Sequence, residues 1–290
     1  MPWKTSEDRW RCRETIVRGM STSRSRERVS RAEFPTRHTS TVSAPVAPRI
    51  YCVGTFALAA GSTIELPPAA ARHLATVRRM RAGDAVTLFD GTGGEYPSMI
   101  VRADRSRVEV RVDSHLAVER EAPHPITLVQ AVIAADNMDL VVRKAVELGV
   151  TGIVPVAAER SQRVADDRAI RRAEHWREIA IAACEQCGRN RIPVIADVTL
   201  LSKWTAELGR QPVPAVVLDP DAAQSLAATL NEGIPRVVVV GPEGGLTREE
   251  VAALVAAGAT RCHLGPRMLR AETAAIATLA TVNAVVGDAA

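Results

Sequence analysis

The sequence has few aromatic residues and no long hydrophobic run. Aromatics make up only 3% of the 290 residues, so the core must consist mainly of Ala, Val, Leu and Ile. No run of about 18 apolar residues occurs, and the N-terminus lacks the apolar region of a secretory signal. We therefore expect a cytoplasmic protein with no membrane partner.

Cysteine is also sparse, and its spacing does not match a disulfide framework. The five cysteines form an odd set, and no second pair accompanies the Cys-x-x-Cys at Cys184 and Cys187. Such a pair is compatible with a redox or zinc site, but this one falls within a long helical pattern. We interpret both cysteines as helix positions and expect no bound metal.

The loops typical of triphosphate and dinucleotide sites are missing. No Gly-Lys-Ser/Thr ending follows the glycine-rich segment Gly241–Gly245, and no Gly-x-Gly-x-x-Gly follows the first strand of the α/β region. Glu243 within that segment would repel a phosphate and suits a ligand with positive charge. A triphosphate and a conventionally bound dinucleotide are therefore disfavoured as ligands.

The net charge of +4 belongs to the N-terminal residues. Residues 1–48 contain ten Lys/Arg and five Asp/Glu, which leaves 27 basic and 28 acidic residues in the remainder. A nucleic-acid site must then be a local patch. The composition of residues 1–48, rich in Arg, Ser and Thr, predicts a disordered tail. A transit peptide is the alternative, but the acidic residues favour a mis-assigned start codon or a dispensable tail.

From Arg49 to about residue 120, short strand patterns alternate with turn residues. The runs are RIYCVGTF, STIEL, DAVTLFD, GEYPSMIVR and RVEVRV, and a helical pattern from Pro68 to Met80 interrupts them. Several short strands in about 70 residues predict a small β-barrel. The prolines of Glu121–Pro125 are typical of a linker.

From Ile126 onward, strands alternate with helices. The strand patterns ITLVQAVI, GIVPVAA, PAVVLDP, RVVVVGPEGG and RCHLG are mostly apolar. The longest helix is predicted over about residues 167–188, with Trp176 facing inward. This alternation predicts a parallel sheet covered on both faces, and thus an α/β domain over residues 126–290.

Three loops follow strand ends, where ligands bind in open parallel sheets. They are Leu218–Pro220, Gly241–Gly245 and Leu264–Arg270. Glycine lets the backbone approach a ligand without a Cβ in the way. For Gly241–Gly245 alone, an ordinary tight turn is the simpler interpretation.

The third loop places Arg267, Arg270 and Glu272 before a helix that is apolar nearly all round. A helix of this kind is buried on every side, in a core or in a subunit interface. The charged residues either form an Arg–Glu pair that caps the helix or face a substrate. Composition leaves both interpretations open.

Two groups of basic residues predict either a solvated face or contact with RNA. The first group comprises Arg72, His73, Arg78, Arg79 and Arg81, and the second comprises Arg168, Arg171, Arg172 and His175. Each alone is typical of a solvated face. Both together on a near-neutral protein favour an RNA surface.

Several motifs together resemble the ribosomal RNA small subunit methyltransferase E family. They are HLATVRRMRAGD, FDGTGGEY, RKAVELGVTGIVPVAAERS, EQCGRNRIP, VVVVGPEGGLTREEV and LGPRMLRAETA, and they cover about residues 49–286. The resemblance implies a PUA-like RNA-binding β-barrel over residues 49–120. It also implies a SPOUT methyltransferase domain over residues 126–290, with a mostly parallel sheet and a trefoil knot. A homodimer with active sites at the interface is expected.

The resemblance further implies S-adenosylmethionine as the cofactor and methylation of N3 of a uridine in 16S rRNA of the assembled 30S subunit. By motif match, the cofactor-binding residues would be Leu218, Asp219, Gly241, Pro242, Glu243, Gly244, Gly245, Leu264, Gly265, Pro266, Met268, Leu269 and Arg270. Arg270 would also stabilise the uracil anion, and Glu272 is the nearest candidate base. Glu185, Gln186 and Arg189 match a family motif without an assigned role.

The chain departs from the family pattern at two places. Ala134 and Ala135 stand where the family usually has a lysine before the first α/β helix, and Ala271 replaces a common threonine. Two other functions remain open on this evidence. One is a SPOUT methyltransferase that acts on another RNA position or atom, and the other is a non-catalytic RNA-binding relative.

Overall fold

The computed structural model describes residues 47–52, 58–104, 107–162 and 166–288. Two β-sheets, here called the N-terminal sheet and the C-terminal sheet, contribute to the hydrophobic clusters of this part of the chain. The tail predicted for residues 1–48 lies outside the described residues except for its last two.

The N-terminal sheet is mixed and has the strand order β1-β3-β4-β5-β2. Its strands are β1 (Arg49–Tyr51), β2 (Thr63–Glu65), β3 (Ala85–Phe89), β4 (Tyr96–Ala103) and β5 (Val108–Val112). β1 pairs with β3 in parallel, and the other pairs are antiparallel. In β5 the valines are buried and alternate with more exposed Glu109 and Arg111, as a half-buried strand requires.

The helix predicted from Pro68 to Met80 is shorter and partly irregular. α1 spans Pro68–Arg72 and continues as a π-helical turn over His73–Val77, where the Arg78 N–H donates to the His73 carbonyl at 3.0 Å. Arg79 then takes φ 54°, a left-handed conformation that ends a helix. The prediction that the helix extends to Met80 is therefore wrong.

The C-terminal sheet is parallel and has the order β12-β10-β11-β6-β7-β8, with β9 also paired to β7. Its strands are β6 (Thr127–Ala131), β7 (Gly152–Ala157), β8 (Val194–Ile195), β9 (Thr199–Leu200), β10 (Ala215–Leu218), β11 (Val237–Val240) and β12 (Ala259–Cys262). All four valines of β11 are buried. A strand without a polar face needs cover on both sides, which confirms the predicted architecture.

Helices cover both faces of the C-terminal sheet. They are α2 (Ala135–Glu147), α3 (Asp166–Cys187), α4 (Leu201–Arg210), α5 (Leu226–Glu232), α6 (Arg248–Ala256) and α7 (Ala271–Val286). The apolar sides of α2, α3, α5 and α7 share one hydrophobic cluster, whereas α4 and α6 pack in another. Among the described residues, no helix is both long and apolar enough to span a bilayer.

The N-terminal sheet packs against the edge of the C-terminal sheet at which the parallel strands begin. Phe89 at the end of β3 is fully buried in the cluster formed by α2, α3 and α7. The Ile192 N–H, just before β8, donates to the Gly91 carbonyl at 3.4 Å. α2 and α3 each begin at the carboxyl end of a strand and run back toward the edge at which the strands begin. The C-terminus of α3 therefore lies at the edge that contacts the N-terminal sheet.

Candidate active site

A cleft of about 720 Å³ opens at the opposite edge, where β10, β11 and β12 end. This volume is in the range of small-molecule and cofactor sites. Of the predicted cofactor-binding residues, Leu218, Asp219, Gly241, Pro242, Glu243, Gly244, Gly245, Leu264, Gly265, Met268, Leu269 and Arg270 line the cleft. Pro266 does not.

The first glycine loop follows β11 directly and turns into α6. A Cβ on Gly241 would lie 3.0 Å from Leu246 Cγ and 3.1 Å from the Leu246 backbone nitrogen. Gly245 has φ +70°, and its N–H donates to the Pro242 carbonyl at 2.9 Å. Gly241 must be glycine because a Cβ would crowd Leu246, and Gly245 is glycine because its backbone is left-handed.

The first glycine loop is held from outside by side chains. The Arg160 guanidinium donates to the Gly244 carbonyl at 3.0 Å, and the Glu243 carboxylate accepts from the Ala134 N–H at 2.8 Å. At the start of α6, the predicted capping box between Thr247 and Glu250 is present. Ala134 thus supports the loop through its backbone, although the family lysine is absent.

The second glycine loop joins β12 to α7. Gly265 has φ +103°, which strains any other residue, and its N–H donates to His263 Nδ1 at 2.9 Å. Met268 is 79% exposed at the rim of the cleft. The loop therefore presents a large apolar side chain to solvent beside the cleft.

Arg270 and Glu272 lie where this loop enters α7. Arg270 is exposed and directly precedes the helix, and no ion pair joins it to Glu272 among the described residues. Glu272 is only 8% exposed, and its Oε2 atom has no hydrogen-bond partner in the described part of the chain. The interpretation as an Arg–Glu pair that caps α7 is wrong, and both residues line the cleft.

The carboxylate of Asp219 is already paired. It accepts from Arg261 at 2.5 Å and from the Asp221 N–H at 2.9 Å. Arg261 lies on β12, the neighbour of β10 in the sheet. Asp219 therefore fixes the loop after β10, and its charge is largely compensated before any ligand binds.

Sequence reasoning missed several cleft residues. Asn137 lies in the first turn of α2 and Arg160 follows β7, so each comes after the carboxyl end of a strand. His263 was overlooked because it follows β12 and lies just outside the LGPRMLRAETA motif, which begins at Leu264. Position at the carboxyl edge of the sheet was the one signal that could have found all three.

The predicted RNA-binding residues lie in two places. Arg72, Arg78, Arg79 and Arg81 are exposed in and just after the helix between β2 and β3, and His73 is half-buried beside them. On α3, Arg171 is exposed and Arg172 half-buried, whereas the side chain of Arg168 lies outside the described residues. In the α3 group, His175 pairs with Asp139 of α2 at 2.9 Å, and Asn137 of the same helix lines the cleft.

The Cys-x-x-Cys pair lies on α3, as predicted. Cys184 is buried, and burial raises the pKa of its thiol to about 12. Its Sγ donates to the Arg191 carbonyl at 3.6 Å. No group of three or more His, Cys, Asp or Glu residues is placed to hold a metal within the described ranges.

Helix α7 is buried on one side only. Ala275, Leu279 and Val282 are fully buried, whereas Ala280 is exposed and Val285 is 53% exposed. Of the two predicted alternatives, burial of this helix on every side within the core of a single chain is wrong. An apolar exposed face fits the alternative of a subunit interface.

Family profiles match most of the described chain. A profile described as an RNA methyltransferase domain matches residues 120–283, and one described as an RNA methyltransferase PUA domain matches residues 66–113. The chain is 34% identical to the ribosomal RNA small subunit methyltransferase E of Mycobacterium tuberculosis, over 73% of this chain and 82% of that protein. The identity to the Bacillus subtilis protein of the same name is 29%, over 73% and 86% of the two chains.

Solved structures are similar over most of their length. A ribosomal RNA small subunit methyltransferase E from Neisseria gonorrhoeae, bound to S-adenosyl methionine, has a TM-score of 0.74 and 34% identity, over 82% of this chain and 98% of that chain. A Legionella pneumophila structure in complex with the bound cofactor SAM has a TM-score of 0.76 and 35% identity, with the same shares covered.

Proposed function

This chain belongs to the ribosomal RNA small subunit methyltransferase E family, and we propose that it methylates N3 of a uridine in 16S rRNA of the assembled 30S subunit. The fold is that of a SPOUT methyltransferase with a PUA domain. The observation that carries the proposal is the cleft at which two glycine loops meet a buried carboxylate and an exposed arginine. We assign residues 49–120 to the RNA-binding domain and residues 126–290 to the methyltransferase domain, whose loops we expect to form a trefoil knot.

The cleft fits S-adenosylmethionine in shape and charge. Gly245 and Gly265 have nothing within 4 Å of an added Cβ, so a ligand can lie against the backbone of both glycine loops. The orphaned Oε2 of Glu272 and the carboxylate of Glu243 favour a cation. When bound, the cofactor supplies an electrophilic methyl group on a sulfonium centre. Relatives of known structure bind it, which supports the same cofactor here.

The two glycine loops would hold the cofactor through backbone groups. Leu218, the first loop and Leu264–Leu269 surround the cleft from three strand ends. Holding both reactants in line converts the transfer into an effectively unimolecular step, which supplies much of the rate. The chain's main contribution is therefore orientation of the target base toward the methyl group.

Two side chains are placed to accept the N3 proton of the uracil and to stabilise negative charge on its oxygens. The N3 nitrogen must lose its proton as the new N–CH₃ bond forms. The buried Glu272 carboxylate would accept this proton. Negative charge that develops on the uracil oxygens would be stabilised by Arg270 and by the N-terminus of α7. Glu272 then releases the proton to solvent.

The exposed face of α7 supports a homodimer. Its Ala280, Ala284 and Val285 side chains are exposed, so a second copy could bury them. Ala284→Arg should therefore shift the protein toward monomer in analytical ultracentrifugation, whereas Ala252→Arg on the exposed side of α6 should not. An unchanged mass for Ala284→Arg would exclude this face.

The function can be tested with 30S subunits that lack the modification. Incubation with tritiated S-adenosylmethionine should label 16S rRNA, and nucleoside analysis should give 3-methyluridine. Label in a ribose 2′-O-methyl nucleoside would indicate a different target atom. No label, together with no heat of cofactor binding, would favour a non-catalytic RNA-binding protein.

A further inference from the structure

The segment Glu185–Arg191, which ends α3 and leads toward β8, contacts the N-terminal sheet through polar groups. The Glu185 carboxylate accepts from the Tyr51 N–H at 2.9 Å. The Asn190 side chain accepts from Arg49 and donates to the Val118 carbonyl at 2.6 Å. This segment belongs to the motif whose role the sequence left unassigned, and it lies at the sheet edge opposite the cleft.

Arg49 is the centre of these contacts. Its guanidinium pairs with Glu95 at 2.6 Å, and the two side chains are only 11% and 12% exposed. It also donates to the Arg189 carbonyl at 3.4 Å and lies 5.1 Å from the centre of the Phe89 ring. A buried charge pair of this kind tolerates little displacement, because either charge left alone would be strongly destabilised.

A second arginine extends the contact to the linker. Arg120 donates to Glu95 at 2.9 Å and to the Gly188 carbonyl at 3.0 Å. Burial raises the pKa of the Glu95 carboxyl, but the hydrogen bonds from Arg120 and Arg49 outweigh it, and the pKa is lowered. Glu95 is therefore held as a carboxylate between two cations.

Glu185 connects this network to the predicted RNA-binding group. Burial raises the pKa of its carboxyl, although the Tyr51 N–H and the positive charges of His73, Arg78 and Arg49 favour the ionised form. Ala71 and Leu74, in the helix that carries this basic group, are buried in one hydrophobic cluster with Ile50 of β1, which directly precedes Tyr51. The position of that basic group is tied to the C-terminal sheet.

We propose that Arg49, Glu95, Arg120, Glu185 and Asn190 form an interdomain lock, in which Glu185 and Asn190 are positioning residues for RNA methylation. This inference rests on the proposed function. The cleft lies at the far edge of the sheet, about 17 Å away for strands of five residues, so these side chains do not reach the reacting atoms. The lock instead fixes the separation between the basic group and the cleft, which an RNA contacting both must match.

The test compares three variants on α3. Glu185→Ala removes the acceptor of the Tyr51 N–H, and Glu185→Gln restores an acceptor oxygen. Glu178→Ala, at an exposed position of the same helix, is the matched control. For each variant, hydrogen exchange of the Tyr51 amide, the dissociation constant for S-adenosylmethionine and kcat/KM for 30S subunits are measured.

We expect Glu185→Ala to speed exchange of the Tyr51 amide about tenfold and to lower kcat/KM for 30S subunits by about the same factor. Cofactor affinity should stay within about twofold, and Glu185→Gln should recover most of both losses. Unchanged exchange in Glu185→Ala would overturn the lock. Faster exchange with unchanged kcat/KM, or with a parallel loss of cofactor affinity, would overturn its positioning role.

The exchange measurement separates this proposal from the proposed function. If the unsubstituted protein transfers no methyl group to 30S subunits, the proposed function fails and the positioning role fails with it. Protection of the Tyr51 amide then still decides whether the lock exists. Arg49→Lys is a second variant, and it should also speed exchange of the Tyr51 amide. The two terminal nitrogens of Arg49 donate separately to Glu95 and Asn190, and the single ammonium of lysine cannot reach both.

Discussion

Substitution of Gly241 by alanine separates the two interpretations of the first glycine loop. The new Cβ would lie 3.0 Å from Leu246 Cγ and 3.1 Å from the Leu246 nitrogen, both closer than ordinary contact. Leu246 cannot easily move away, because it packs against the cluster that contains Val129 and Leu254. The loop backbone itself must therefore shift by a few tenths of an ångström.

The cost can be estimated from the overlap. Forcing one methyl group into a well-packed site costs about 1–3 kcal/mol. Where the ligand requires the original loop position, that energy appears as a loss of affinity of about 5- to 150-fold. We expect the dissociation constant for S-adenosylmethionine to rise at least about fivefold, as measured by titration calorimetry.

Gly233→Ala is the matched control. Gly233 has nothing within 4 Å of the added Cβ and lies at the end of α5, so affinity should stay within about twofold. Thermal unfolding should be recorded for both variants, since overpacking also lowers stability. Wild-type affinity in Gly241→Ala would refute the reasoning and leave an ordinary tight turn as the role of this glycine.

Four further predictions concern named side chains. Arg270→Ala should lower kcat for 30S subunits about 100-fold or more while cofactor affinity changes less than about threefold, and equal losses would indicate a structural arginine. Glu272→Gln should lower kcat at least about 100-fold, and an unchanged kcat would exclude Glu272 as the base. Because burial raises the thiol pKa of Cys184 to about 12 and of Cys262 to about 11, peptide mapping after iodoacetamide treatment of the folded protein at pH 8 should find both unmodified. The lowered pKa of Glu95 means that its stabilisation is present above pH about 4.5 and is lost as pH falls below it, so the difference in melting temperature between wild type and Glu95→Gln should shrink there.

The sequence predicted the C-terminal sheet well because its strands have no polar face. A run such as the valines of β11 must be covered on both sides, whatever its neighbours are. The two-residue strands β8 and β9 carry no such pattern and were missed. The end of the helix before Arg79 was also missed, because the left-handed conformation of that residue is not encoded by a glycine.

The candidate site was predictable where backbone conformation demands glycine, as at Gly245 and Gly265. It was not predictable where side chains meet across the fold. Arg261 and Asp219 are 42 residues apart and pair because their strands are neighbours in the sheet. Tyr51 and Glu185 are 134 residues apart in the sequence, and no local sequence pattern predicts their contact.

A crystal structure with S-adenosylmethionine bound tests the central claim most directly. We expect the cofactor between Gly241–Gly245 and Leu264–Arg270, with the methyl group directed toward the open side near Arg270 and Glu272. Electron density for the cofactor at any other place, or glycine loops that make no contact with it, would contradict the account.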